Sequence, residues 1–241
     1  MNPDFPRDLQ RQLEQAIVNN AFAARQIFTC GELASRFDVS ANEMLTVLKA
    51  EQRKGLVIEQ DGGLFKIMGV TVPPRDSVFS HTKKSGFKPT SVVREVVIEP
   101  AAPLVAETLR LTTGAPVYRF VRTRRVDGEP LANQTNYIPF EICPGLEQDD
   151  VSRYSFQKLL EEKYLAYTAE FREQFSVEPT DEQDQEILNL PPGSTVWLVR
   201  RLAFSATGWP VVWSNIRIRP DRWQYVSQLW PAAAAALGPQ D

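Results

Sequence analysis

Alternating apolar and polar positions predict a long β-hairpin in the middle of the chain. Residues 117–126 are rich in β-branched and aromatic side chains, and residues 131–138 return after Asp127-Gly128, a dipeptide typical of tight hairpin turns. Successive side chains of a strand point to opposite faces. One face of the outgoing strand therefore carries two aromatic residues followed by two arginines: Tyr118, Phe120, Arg122 and Arg124.

The same pattern occurs a second time, at residues 196–219. The segments upstream of the two hairpins, 98–117 and 177–196, align without gaps, and the alignment places Arg122 opposite Arg201. Such internal similarity is typical of a duplicated structural unit. We predict two copies of a unit made of strand, short helix, glycine turn, strand, hairpin and strand. Chance similarity of two hairpins is the alternative, and the gapless flanks argue against it.

The N-terminal part of the chain shows the periodicity and the capping signals of helices. Residues 8–20 carry apolar side chains at helical spacing. Two capping boxes follow, at Thr29–Glu32 and Ser40–Glu43, and Gly55 is a helix stop. Residues 56–68 then resemble a small hairpin around Asp-Gly-Gly. Helix, helix, short turn, helix and hairpin is the order of a winged helix-turn-helix.

Two prolines in the segment 72–80 predict a linker, because proline blocks both helix and sheet interiors. We predict an α+β protein with a winged helix-turn-helix at residues 1–70 and a linker at 71–80. A second domain with an antiparallel sheet and helices is expected at 81–231. It includes an amphipathic helix at 155–165 between the two repeats. Residues 232–241 are expected to form a disordered tail.

Composition narrows the classes of function. Of the 241 residues 43% are apolar and 24% are charged, which is typical of globular proteins, and no apolar run approaches the roughly 20 residues needed to span a bilayer. The first residues do not resemble a signal peptide, so we expect a cytoplasmic protein. Cys30 and Cys143 are too few for a disulfide framework or a zinc site. His81 is the sole histidine, and no phosphate loop or nucleophile motif occurs, so we predict no catalytic residue, cofactor or metal.

These features together resemble the HutC branch of the GntR superfamily of bacterial transcription regulators. In the winged helix, the residues that carry the resemblance are Leu33, Ala34, Phe37, Val39, Ser40, Leu48, Gly55 and Leu56. The second domain resembles the effector-binding UTRA domain through Leu109, Leu111, Gly114, Val117, Arg122, Arg124, Gly128, Pro130, Tyr137, Ile138, Pro139, Ser155, Gly193, Gly208, Pro210, Asp221 and Arg222. The resemblance implies a chorismate-lyase-like sheet domain, a homodimer and a ligand-sensing role.

Two arginines on an aromatic strand face indicate a binding site for an anion. Like charges repel, and burying either without a partner costs several kcal/mol, which an anionic metabolite would relieve. Gln134 and Asn136 share one face of the return strand and could add neutral hydrogen bonds. The resemblance adds His81 and Thr82 from a family loop, and Ser155 at a helix N-terminus. The predicted ligand-binding residues are Arg122, Arg124, Ser155, Thr82, His81, Gln134 and Asn136. Alternatively, the arginines lie in solvent and pair with carboxylates.

The predicted recognition helix is Ala41–Lys54, and its N-terminal end is the part that reads bases in this class of motif. The predicted DNA-binding residues are Ser40, Asn42, Glu43, Thr46, Lys49, Arg36, Arg53 and Lys66. Three positions at which the family typically uses arginine hold Gly31, Ala41 and Leu45 instead. The first 75 residues also contain as many acidic as basic side chains, which is unfavourable for a surface that follows phosphates.

We therefore expect a ligand-responsive transcription regulator, a repressor, that binds operator DNA as a dimer and an anionic metabolite in its second domain. One alternative is a sensor whose first domain binds protein instead of DNA, which would fit the missing arginines. Another is an enzyme on the chorismate-lyase-like fold. No membrane association is expected.

Overall fold

The computed structural model describes residues 5–19, 21–22, 26–68, 89–151 and 156–222. The predicted linker, the predicted tail and three predicted ligand-binding residues lie outside these ranges: His81, Thr82 and Ser155. In the described part of the chain, every helix is too short or too polar to cross a membrane.

The N-terminal domain, which we call the head, has three helices and a three-stranded antiparallel sheet. The helices are α1 (Arg7–Val18), α2 (Cys30–Phe37) and α3 (Ala41–Lys54); the strands are β1 (Ile27–Thr29), β2 (Val57–Gln60) and β3 (Leu64–Ile67), in the order β1-β3-β2. Both predicted capping boxes form, and α3 ends at Gly55 with left-handed backbone (φ +85°). Leu13, Leu33, Met44 and Phe65 meet in its core. The winged helix-turn-helix is therefore confirmed.

The C-terminal domain is one six-stranded antiparallel sheet with three α-helices in the described residues. The strands are β4 (Pro89–Pro100), β5 (Pro116–Val126), β6 (Glu129–Pro139), β7 (Glu170–Pro179), β8 (Thr195–Phe204) and β9 (Pro210–Ile218). The helices are α4 (Pro103–Leu109), α5 (Phe156–Tyr164) and α6 (Glu182–Leu188), and short 3-10 turns cover Phe140–Ile142, Leu146–Gln148 and Pro220–Arg222. The strand order is β4-β5-β6-β9-β8-β7.

This order confirms the predicted duplication, because each half is strand, helix, strand, strand and the halves meet at the β6–β9 pair. Matched backbone details support it. The helices α4 and α6 end at Arg110 (φ +53°) and Asn189 (φ +54°), both left-handed. A register shift follows Arg124 in the first hairpin and Ala203 in the second. The helix ends and the register shifts occur at matching positions, which indicates that the two halves share the same backbone fold.

The two faces of the sheet are covered differently. Helix α4 packs with Val117 and Trp213 on one face, and α6 packs with Val196 on the same face. The opposite face, which we call the arginine face, carries Phe120, Arg122, Arg124, Gln134, Asn136, Arg201 and Ser214 in register. Helix α5 covers one end of it through Phe156 and Leu160. The polar residues of the arginine face therefore project from the sheet next to α5.

The head packs directly on the C-terminal domain at a junction formed by the C-terminal end of α3. Arg53 donates to the carbonyl oxygens of Leu109 (3.3 Å) and Arg110 (3.1 Å) and pairs with Glu141 (2.8 Å). The hydroxyl of Thr207, in the turn between β8 and β9, donates to the carbonyl oxygen of Gln52 (2.9 Å). The recognition helix is thus anchored to the sheet domain by its last turn.

Buried charges lie beside this junction. Lys54 is fully buried and pairs with Glu14 and Glu51, and the amide of Gln10 donates to Glu51 (2.8 Å) and to the carbonyl oxygen of Glu141 (3.0 Å). Burial alone would lower the pKa of Lys54, but the charges of Glu51 and Glu14 outweigh it and raise the pKa. Burial also raises the pKa of Glu51 to about 7, against the opposing charge of Lys54.

Candidate functional site

A row of hydrogen-bonded polar side chains crosses the arginine face from β5 to β9. The Nε and Nη2 atoms of Arg122 both donate to the amide oxygen of Gln134, each at 3.1 Å, and the Nε atom of Arg124 donates to the same oxygen at 3.4 Å. The amide nitrogen of Gln134 donates to the side-chain oxygen of Asn136 (2.7 Å), which also accepts from the hydroxyl of Ser214 (2.7 Å). One neutral amide therefore holds two guanidinium groups.

Arg122 is a buried cation that forms no ion pair with any other described residue. Its side chain is almost fully buried, with the residue 2% exposed, and no carboxylate among the described residues pairs with it. Its Nη1 atom is buried and has no hydrogen-bond partner within the same residues. The rings of Phe120 and Phe156 lie 5.3 and 5.7 Å from its Cζ atom and offer only the weaker cation–π attraction.

Burial, and then the positive charge of Arg124, lower the pKa of Arg122 well below its ordinary value. Burial, and then the charge of Arg201, lower the pKa of Arg124. A guanidinium nevertheless keeps its proton in proteins, so the lowered pKa values express the cost of holding these positive charges together in a poorly solvated place. An anion bound here would reduce that cost.

The second repeat provides an internal comparison. Arg201, the duplicate of Arg122, forms an ion pair with Glu173, its neighbour across the β7–β8 pair. The neighbour of Arg122 across the β4–β5 pair is Val93. The same arginine therefore has a protein carboxylate in one repeat and an apolar side chain in the other. This difference favours an external anion at Arg122 over the alternative in which the protein neutralises it.

The structure brings four of the predicted ligand-binding residues together: Arg122, Arg124, Gln134 and Asn136. Sequence reasoning missed Ser214, whose hydroxyl reaches Asn136 from the other repeat. The duplication contained a signal for it. Ser214 faces Arg201 across the β8–β9 pair as Gln134 faces Arg122 across the β5–β6 pair, so the aligned hairpins place the two residues at equivalent positions.

The candidate DNA-reading surface is the exposed face of α3. Asn42, Thr46 and Lys49 are exposed along it, but each has local contacts: Thr46 donates to the carbonyl oxygen of Asn42 (2.8 Å), and Lys49 pairs with Glu59. Ser40 and Glu43 bond each other in the capping box, and these hydrogen bonds lower the pKa of Glu43. The exposed amide of Asn42 can pair an adenine edge chemically, and its contact with DNA stays a prediction.

Three predicted DNA-binding cations have different surroundings. Arg36 donates to the carbonyl oxygen of Ala21 (2.9 Å) and remains exposed, and Lys66 lies on β3, the second strand of the wing hairpin. Arg53 differs, because its guanidinium is held by the junction with the C-terminal domain. Arg53 therefore lies at the junction and not on the DNA-facing surface. Its helical spacing from Lys49 was correct, but the spacing could not show that a second domain covers the last turn.

Comparison with known proteins identifies the family. The UTRA domain model matches residues 84–224, more than half of the chain. The chain belongs to the UTRA domain family. It is 26% identical over 227 residues to the HTH-type transcriptional regulator GmuR of Bacillus subtilis, covering 91% of this chain and 95% of that protein. It is also 25% identical over 205 residues to YydK, another HTH-type regulator of B. subtilis, covering 81% and 84% respectively.

The fold comparison agrees. The crystal structure of PhnF from Mycobacterium smegmatis matches with a TM-score of 0.61 and 17% identity, covering 92% of this chain and 99% of that one. Head and sheet domain together thus have the fold of that structure. The chain is a helix-turn-helix transcription regulator with a UTRA effector domain, as the sequence resemblance implied.

Proposed function

We propose that this regulator responds to a small anionic metabolite that binds between Arg122 and Arg124. The observation that carries the proposal is the buried guanidinium of Arg122, which has Gln134 and two aromatic rings around it but no carboxylate among the described residues. Hydrogen bonds from a guanidinium to a carboxylate or phosphate are short and strong. His81, Thr82 and Ser155 complete the proposed site by the family resemblance.

A neutral residue at position 134 supports the same conclusion. Gln134 accepts from both guanidinium groups at a position where a carboxylate would neutralise one of their two charges. Because an amide carries no charge, Gln134 leaves the positive charge of Arg122 without compensation. In members of the family that sense sugar phosphates, acidic side chains hold the sugar. The family resemblance matches these positions to Gln134 and Val212, and neither is acidic. We therefore favour an anion without a sugar.

The test is a thermal-shift titration with citrate, inorganic phosphate and sulfate at constant ionic strength set with potassium chloride. We expect at least one anion to raise the Tm of the native chain in a saturable manner. The variants Arg122→Gln and Gln134→Glu should lose this rise, the second because a built-in carboxylate replaces the ligand. Arg201→Gln is the matched control and should keep it. No rise in the native chain, or an equal rise in Arg122→Gln, would contradict the proposal.

We further propose that the head, residues 1–70, binds operator DNA and that the chain acts as a homodimer in the cytoplasm. Two linked heads on one operator compensate for a low DNA affinity of a single head, because linked binding events reinforce each other. The anion acts through a difference in affinity between two arrangements of the heads, with residues 81–231 as the effector domain. At the junction, the effector domain contacts the last turn of α3 directly, which supports this coupling.

The DNA proposal is tested by a gel shift with the promoter region upstream of the protein's own gene at low salt. We expect retarded complexes with two chains per operator, and an Asn42→Ala variant with at least tenfold weaker binding. The absence of a complex at low salt would favour a head that binds protein, which is the reading suggested by the balanced charge of this domain.

A further inference from the structure

Asn136 is a buried amide next to the proposed anion site, and its side chain forms three hydrogen bonds within the described residues, none of them to Arg122 or Arg124. It is 1% exposed. Its amide nitrogen donates to the backbone carbonyl oxygen of Phe120 (3.2 Å), its partner across the β5–β6 pair. Its side-chain oxygen accepts from Gln134 and from Ser214, its partner across the β6–β9 pair.

These contacts decide which way the amide of Asn136 points. A backbone carbonyl can only accept, so the NH₂ group of Asn136 must face Phe120. The oxygen of Asn136 therefore faces the two donors, the amide nitrogen of Gln134 and the hydroxyl of Ser214. A reversed amide would place nitrogen against the nitrogen of Gln134 and oxygen against a carbonyl oxygen, and would lose buried hydrogen bonds.

The orientation is passed on to Gln134. With its nitrogen bound to Asn136, the oxygen of Gln134 is turned toward Arg122 and Arg124. Guanidinium groups can only donate, so this is the sole orientation in which Gln134 holds both of them. If Gln134 rotated or reversed, its own NH₂ group would oppose the guanidinium donors. The direction of hydrogen bonding at the arginines is thus set by the backbone oxygen of Phe120, through two amides.

We propose that Asn136 is a positioning residue that fixes the geometry of the anion site through Gln134, with Ser214 of the second repeat as its support. This inference rests on the proposed function, because it assigns a role within the anion site. The relay is uncharged from Phe120 to Gln134. It therefore orients the two guanidinium groups without neutralising them, which a carboxylate at position 136 would not achieve.

The test is a double-mutant cycle in the full-length protein, read as the dissociation constants of citrate and inorganic phosphate from tryptophan fluorescence titrations. The cycle comprises the native chain, Gln134→Ala, Asn136→Ala and the double variant. We expect each single substitution to weaken binding about fivefold, the effect of one lost hydrogen bond. The double variant should bind as Gln134→Ala does, since Asn136 acts through Gln134.

A merely structural role for Asn136 would weaken binding by the same factor in both backgrounds, and that additive outcome would overturn the inference. Asn133→Ala is the matched control, because Asn133 lies on the same strand but faces the opposite side of the sheet, and it should change binding less than twofold. Asn136→Ser, which is too short to reach Gln134, replaces Asn136→Ala if the latter does not fold. An additive cycle leaves the anion site standing, whereas absence of binding by the native chain contradicts both proposals.

Discussion

The guanidinium of Arg53 lies over the indole ring of Trp209, with its Cζ atom 4.9 Å from the ring centroid. Arg53 belongs to the last turn of the recognition helix, and Trp209 to the turn that joins β8 to β9. Arg110 also approaches this ring, with its Cζ atom 6.0 Å from the centroid, and donates to the carbonyl oxygen of Gly208. The same turn leads into β9, the strand that carries Ser214. A movement of β9 would therefore displace Trp209 and change its contact with the last turn of the recognition helix.

The close approach of the two domains at Gly55 can be measured. Its backbone is left-handed (φ +85°), and an added Cβ atom would lie 3.3 Å from the backbone nitrogen of Ala206. We expect Gly55→Ala to lower the free energy of unfolding by about 2–3 kcal/mol, because backbone strain and crowding act together. Chemical denaturation measures this change.

Gly62→Ala is the matched control, since Gly62 has a similar backbone (φ +79°) and open space around it. We expect this variant to lose only about 1 kcal/mol, the cost of the left-handed backbone alone. Equal losses in the two variants would show that the heads are not held against the sheet domain in solution.

Removal of the buried charge at position 122 should stabilise the ligand-free protein. Methionine fills a similar volume without charge, so Arg122→Met is expected to raise the free energy of unfolding by about 1–3 kcal/mol in chloride buffer. Arg201→Met should not stabilise the protein, because it leaves Glu173 without its cation. A loss of stability in Arg122→Met would indicate that the protein already compensates this charge.

The junction should make stability depend on pH. Burial raises the pKa of Glu51 to about 7, so the folded protein keeps this proton at pH values where the unfolded chain has released it. The free energy of unfolding should therefore decrease as the pH rises from about 4.5 to about 7, by about 1–3 kcal/mol. Urea denaturation at several pH values measures this.

Glu51→Gln is the control for the pH effect. Glutamine can still accept the hydrogen bond from Gln10 but cannot titrate, so the decrease between these pH values should become smaller in this variant. An identical pH profile in the native chain and in Glu51→Gln would assign the dependence to other groups.

Salt dependence distinguishes the two cations of the head. Each phosphate contact lowers the logarithm of DNA affinity with increasing salt, with a slope of about one per contact. We expect Lys66→Ala to reduce this slope by about one, and Arg53→Ala to leave it unchanged because Arg53 lies at the junction. The measurement is a series of gel shifts at increasing potassium chloride. A reduced slope in Arg53→Ala would return this residue to the DNA surface.

Much of the architecture was readable from local signals. The capping boxes, the Asp-Gly turn and the repeat defined the helices, the first hairpin and the duplicated sheet, because each depends on neighbouring residues. The three-residue strand β1 was missed, since its hydrogen bonds to β3 come from a distant segment. The junction was missed for the same reason, because Trp209 and Glu141, the partners of Arg53, are distant from it in the sequence.

Because the sheet is duplicated, Arg122 of the proposed anion site has an equivalent residue, Arg201, in the second repeat. In the first half Arg122 has no carboxylate partner among the described residues, whereas in the second half Glu173 pairs with Arg201. Replacing Glu173 by a neutral residue would therefore leave Arg201, among the described residues, without the carboxylate that now pairs with it.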